Sequence, residues 1–131
     1  MAELLDGRVA VVTGGSSGNG RAICRRFAHH GADVVVADIR AEPREGGQPT
    51  TEVIAAETDR TARFVECDVS SKADLDAAVE TAEDLGGLDV MVNNAGLFRG
   101  EHFLEVSEAE FQAIIDVNVK GVFFGCQAAA E

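Results

Sequence analysis

Apolar positions along the chain alternate between two rhythms. Short β-branched runs give way to stretches in which apolar residues recur every three to four positions. Val9-Ala10-Val11-Val12 predicts a first strand over 8–13, and Ala22, Ile23, Phe27 and Ala28 predict a helix over 18–30 that Gly31 stops. Arg25, Arg26, His29 and His30 crowd the end of that helix, where positive charge suits the dipole. Asp33 to Asp38 predicts a second strand, apolar almost throughout, as expected of a parallel strand covered on both faces. Pro43, Gly46, Gly47 and Pro49 make 39–49 a loop.

Further on, Thr50 or Thr51 is expected to cap a short helix running through Glu57, and 62–69 reads as a third strand. Ser71 with Asp74 has the spacing of an N-cap and its N3 acid. Leu75, Ala78, Val79 and Ala82 then mark a helix to Leu85, ended by Gly86-Gly87, and a fourth strand is predicted over 88–92. Residues 93–105 read as irregular, and Ser107 with Glu110 opens a long last helix. Phe111, Ile114, Ile115, Val119, Val122, Phe123 and Phe124 spread round more than one face of it, so burial on both sides is expected. Strand–helix alternation over four strands predicts an α/β fold of the doubly wound, Rossmann type: a parallel sheet with helices on both faces, expected strand order 3-2-1-4. Residues 1–131 read as one domain's worth of chain, with 88–92 as an open edge that invites association, and the last helix as the surface for a homo-oligomer.

Composition narrows the partners. The chain has a net charge of −12, with clustered Lys and Arg lacking, which argues against nucleic acid. Only Lys72 and Lys120 are lysines, and abundant carboxylate with scarce lysine fits either a halophilic protein or an ordinary acidic one. Cys24, Cys67 and Cys126 are scattered, so reduced, buried thiols and a cytoplasmic setting are expected. No uninterrupted apolar run reaches the roughly 18–20 residues of a membrane span, and the acidic N-terminus resembles neither a signal nor a transit peptide. His29 and His30 lack companion ligands, so no metal is expected, and His102 reads as a solvated loop residue.

The chemistry begins where the first strand meets its helix, at Thr13-Gly14-x-x-x-Gly18-x-Gly20. Strand, glycine turn and helix in that order bring backbone amides and a positive helix end together, which suits the pyrophosphate of a dinucleotide. Gly14 makes the turn, Gly18 lets backbone approach the ligand, and Gly20 permits close helix–strand packing. Ser16 and Ser17 add hydroxyl and amide donors. Asp38 follows Gly20 at close to the roughly 20-residue spacing at which an acid accepts hydrogen bonds from the adenosine ribose. Its carboxylate disfavours a 2′-phosphate, and Gly15 and Ser16 supply no basic residue, so NAD is expected over NADP. Arg40 is the one feature pulling toward NADP.

These residues, followed by Asp68-Val69, Asn93-Asn94-Ala95-Gly96 and Asn118, resemble the short-chain dehydrogenase/reductase family of classical type, in order and spacing over the whole chain. The resemblance implies an NAD(P)-dependent oxidoreductase moving hydride between a nicotinamide and a small alcohol or carbonyl compound. It implies that Thr13, Gly14, Ser16, Ser17, Gly18, Asn19, Gly20, Asp38, Ile39, Asp68, Val69, Asn93, Ala95 and Gly96 contact the cofactor, with Asp68 on the adenine amino group. Asn93 would line the cofactor channel while its turn steadies the sheet, and Asn118 would be the catalytic asparagine that holds a water in a proton relay. Two departures stand out. Asn19 sits where the family has an apolar residue. The family's catalytic serine and Tyr-x-x-x-Lys would fall beyond Glu131, and the chain holds no tyrosine. The resemblance therefore implies a truncated cofactor half, inactive alone; a non-catalytic dinucleotide-binding or assembly module is the alternative.

Overall fold

The computed structural model describes residues 3–98 and 100–131. Four parallel strands form one sheet in the order β3-β2-β1-β4: β1 Val9–Thr13, β2 Asp33–Asp38, β3 Ala62–Glu66 and β4 Val90–Val92. The predicted fold class and strand order hold. Between the strands run α1 Gly18–His29, α2 Thr50–Glu57 and α3 Lys72–Asp84, and α4 Glu108–Ile115 and α5 Gly121–Ala130 follow β4.

The doubly wound character shows in two apolar clusters, one on each face of the sheet. Val12, Val34 and Val36 point toward Cys24 and Ala28 of α1 and Ile54 of α2. Val9, Val11, Val35 and Ala37 point toward Leu75, Ala78 and Ala82 of α3 and Ala128 of α5. Alternating side chains of β1 and β2 thus feed both clusters, which explains why their sequences are apolar without a polar face.

Several boundaries move, each for a visible reason. β3 stops at Glu66 rather than 69 because its one partner, β2, ends at Asp38, opposite Glu66. β4 starts at Val90 rather than 88 because Asp89 turns its carboxylate onto the Val9 N–H at 2.9 Å. In α1 it is Cys24 that is buried, while Ala22 faces solvent. Pro49, and neither threonine, occupies the N-cap of α2: the Thr50 hydroxyl lies buried and donates to the Gly15 carbonyl at 2.9 Å. Ser71 caps α3 as expected, accepting from Asp74 N–H. Ser107 accepts from Glu110 N–H, but Glu110 Oε2 is buried with no partner among the described residues, so the box closes on one side only.

The last helix differs most from expectation. Residues 116–120 form a π turn between α4 and α5, which the sequence pattern did not announce. Its burial is one-sided: α5 packs on α3 and β4 through Gly121, Gly125 and Ala128, while Phe111, Val119 and Phe123 are exposed. The continuous helix from Glu108 to Ala130 is also 23 residues long and contains an 18-residue window with a mean hydropathy of 1.2, enough by length and composition alone to cross a membrane. Valine, isoleucine and phenylalanine raise that average although charged and amide residues interrupt the stretch, so no apolar run of that length stands in the sequence. Here the helix packs on a sheet and carries Asp116, Asn118 and Lys120 at its middle. The thiols also divide: Cys24 and Cys67 are buried as expected, whereas Cys126 is exposed, because α5 turns it away from the sheet.

Leu75 is fully buried between α3 and the sheet, so Leu75→Ala is expected to cost about 2–5 kcal/mol. Ser71→Ala removes the cap of the same helix and should cost about 1 kcal/mol. Urea unfolding followed by circular dichroism checks both, with the larger loss expected at Leu75.

Candidate functional site

A cleft of about 800 Å³ opens at the carboxyl ends of β1, β2 and β4. Open parallel sheets bind ligands at this end, where strand order reverses between neighbours. Its floor is the turn from β1 into α1. Gly14 and Gly18 hold φ of +68° and +53°, which only glycine adopts without strain. Gly20 lies behind the turn, where a Cβ would run into the Gly14 carbonyl and approach Asn94 Nδ2 to 2.6 Å. The helix can therefore begin directly against the strand end.

The first turn of α1 receives no cap from its own N-cap side chain. Ser17 stands at the N-cap, yet its hydroxyl instead accepts the Arg44 N–H at 2.8 Å. Gly18 N–H donates to Glu45 Oε2 at 2.9 Å, and that bond holds the Glu45 carboxyl below the usual carboxylate range. The turn thus shows its preference for an anion through a side chain of the protein itself.

Asp38 ends β2 beside this turn. Its two oxygens accept Ser16 N–H at 3.0 Å and Ile39 N–H at 2.7 Å. Each carboxylate oxygen has a further lone pair to offer. Asp68 lines the next stretch of the cleft, where the Ser70 hydroxyl and N–H lower its pKa. Cys67 lies between the two acids, and burial, reinforced by Asp74, Asp68 and Asp38, pushes its thiol up to about 12. It is an inert lining group at neutral pH.

The β4 side is fixed by a compact knot. Thr13 Oγ1 donates to the Val92 carbonyl at 3.3 Å and accepts from Asn94 and Ala95 N–H at 3.0 and 3.1 Å. Asn94 Nδ2 returns to the Thr13 carbonyl at 3.1 Å. At the far end Asn118, lifted by the π turn, grips the Leu97 backbone in both directions at 2.7 Å, and its neighbour Val117 lines the cleft.

Of the residues singled out in sequence, Gly14, Ser17, Gly18, Asn19, Asp38, Ile39, Asp68, Val69, Ala95 and Gly96 converge on the cleft. Thr13, Ser16 and Gly20 lie beneath it as supports, and the buried Ser16 Oγ has no partner among the described residues. Asn93 lies outside the lining: its side chain turns away from the cleft to Gly125 and Cys126 of α5, with Nδ2 3.4 Å from the Cys126 sulfur. The steadying role falls to Asn94, whose Nδ2 bonds the Thr13 and Gly14 carbonyls. Asn118 is likewise absent from the lining, its carboxamide being spent on Leu97. Sequence reasoning missed Arg44, Glu45, Cys67, Asn94, Leu97 and Val117 as lining residues. Asn94 stood in the motif; no local pattern pointed to the other five.

The comparisons with known proteins agree with this geometry. The sequence profile described as short chain dehydrogenase matches residues 8–131. The L-2,3-butanediol dehydrogenase of Corynebacterium glutamicum is 45% identical over 124 residues, covering 94% of this chain and 47% of that enzyme. A short chain dehydrogenase from Burkholderia cenocepacia in complex with NADP superposes with a TM-score of 0.86 at 38% identity, covering 96% of this chain and 51% of that one. The 3-ketoacyl-(acyl-carrier-protein) reductase of Brucella melitensis, complexed with NADH, gives a TM-score of 0.79 at 39% identity, covering 94% and 48%. The chain spans about half the length of the relatives it matches. Profile, identity and superposition converge: the chain belongs to the short-chain dehydrogenase family.

Proposed function

We propose that the cleft holds a nicotinamide dinucleotide, and that this chain is the cofactor-holding half of an oxidoreductase acting on an alcohol or carbonyl compound. The observation that carries this is the first turn of α1, without a cap from its own N-cap residue, opening onto the same cleft as the adjacent Asp38 carboxylate. The turn asks for an anion and the acid for hydroxyl donors. A pyrophosphate flanked by an adenosine ribose offers both.

On this reading Gly18, Asn19 and Ser17 hold the pyrophosphate, Asp38 and Ile39 the ribose, and Asp68 and Val69 the adenine. Ala95 and Gly96 form the wall past which the nicotinamide end extends. A bound nicotinamide supplies hydride exchange with a carbinol or carbonyl carbon. Asn118 serves by shaping the end of the cleft through Leu97, because both ends of its carboxamide are committed there. We favour NAD as the cofactor. Asp38 and Glu45 put two carboxylates beside the ribose and phosphate positions, and a 2′-phosphate next to Asp38 would meet like charge. Arg44, also in the lining, is the residue through which NADP would find a counter-charge. The relatives are named for both cofactors, so the preference rests on these side chains.

Three outcomes are expected. In calorimetry, Asp38→Ala weakens NAD+ binding by about tenfold or more, the scale of a hydrogen bond to a charged acceptor; equal affinity would remove Asp38 from the site. The ratio of NADP+ to NAD+ affinity rises in Asp38→Ser, and an unchanged ratio would count against the ribose assignment. The 131-residue chain, which contains no tyrosine, binds the cofactor without oxidising an alcohol, as followed by NADH absorbance; clear turnover would show that the acid/base group is on this chain.

A further inference from the structure

The loop between β2 and α2 reaches across the cleft floor and places a carboxylate in the seat that an anion would take. Gly18 N–H, the first amide of α1, donates to Glu45 Oε2 at 2.9 Å. Its neighbour Arg44 is held in the same turn, with its N–H 2.8 Å from Ser17 Oγ. The two contacts have one effect: the N-cap hydroxyl and the first amide of α1 are both occupied by residues 27 positions away in sequence rather than by local capping. Glu45 is itself exposed and followed by Gly46 and Gly47, with φ of +88° and +100° and open space around both. Its carboxylate is positioned by what it touches, and the two glycines after it pack against nothing.

We propose that Glu45 is a built-in competitor for the phosphate seat: it occupies the Gly18 amide when the cleft is empty, and the pyrophosphate of an incoming dinucleotide must displace it. This rests on the dinucleotide reading of the cleft. A carboxylate and a phosphate oxygen seek the same donor, and both bonds are charge-assisted, so the two cannot be seated at once. The fraction of molecules with the seat open sets the apparent affinity, which falls in proportion to that fraction. The lowered carboxyl pKa of Glu45 agrees with a bond made to its charged form. Displacement also releases the Arg44–Ser17 contact, freeing the N-cap hydroxyl for the same ligand.

The test is calorimetric binding of NAD+ and, separately, of inorganic pyrophosphate to the wild-type protein, Glu45→Gln and Glu45→Asp. The Asp variant keeps the charge but retracts it by one methylene. Both variants are expected to bind each ligand about three- to tenfold more tightly, the gain that follows from opening a seat that is mostly closed. Unchanged or weaker affinity in Glu45→Gln overturns the proposal. So does tighter binding in Glu45→Gln with wild-type affinity in Glu45→Asp, which would reduce Glu45 to a diffuse charge. If pyrophosphate binding tightens in both variants while NAD+ binds none of the three proteins, the competitor stands and the dinucleotide reading falls. If neither ligand binds any of them, both fall. NAD+ binding that is sound but indifferent to Glu45 sinks the competitor alone.

Discussion

The structure turns on the absence of a single Cβ. Gly20 lets the first turn of α1 press against the Gly14 carbonyl, and Asn94 Nδ2 reaches into the same spot from the β4 side. Strand end, helix start and the loop after β4 therefore meet at one point. Moving α1 outward would carry its free amides away from Asp38, and would loosen the Asn94 bonds that tie β4 to β1. The site and the cohesion of the sheet thus depend on one close approach, not on two separate arrangements.

Around that junction the forces divide by location. The sheet is held by side chains that alternate between two apolar clusters, so no face of β1 or β2 is left for water. The periphery is held by charges: Arg25 of α1 forks onto Glu57 of α2, and Lys72 of α3 reaches both Asp76 and Glu131. These pairs are partly exposed and contribute modestly. They orient helices that the apolar clusters have already placed.

What was legible in the sequence followed from strong local physics. The run from Asp33 to Asp38 gave its strand to the residue, because β-branched side chains and flanking acids mark both ends. Ser71 announced its helix by spacing alone. The strand order followed from the alternation of elements. What was not legible depended on tertiary partners. Thr50 has the chemistry of a cap but is drawn into the core by the Gly15 carbonyl. Asn93 and Asn94 are identical as residues, and only their partners, Cys126 for one and the Thr13 carbonyl for the other, distinguish them. Asn118, within the π turn, has its partner in the Leu97 backbone, which lies 21 residues away in the chain. Glu45 sits in a loop with no periodicity, and only its contact with Gly18 distinguishes it from other acids.

The cleft's own charge bears on how a ligand arrives. Asp38, Glu45 and Asp68 outnumber Arg44 in its lining, and the protein carries a net charge of −12. An anionic ligand therefore approaches against repulsion, and its grip comes at contact range from backbone amides rather than from a distant attractive field. Mobile ions weaken long-range repulsion while leaving hydrogen bonds at contact largely intact. Encounter with this cleft accordingly quickens as salt is added, the reverse of electrostatic steering in proteins that present a basic patch to their anions. The acidic surface thus costs the site little in saline surroundings and most in dilute solution.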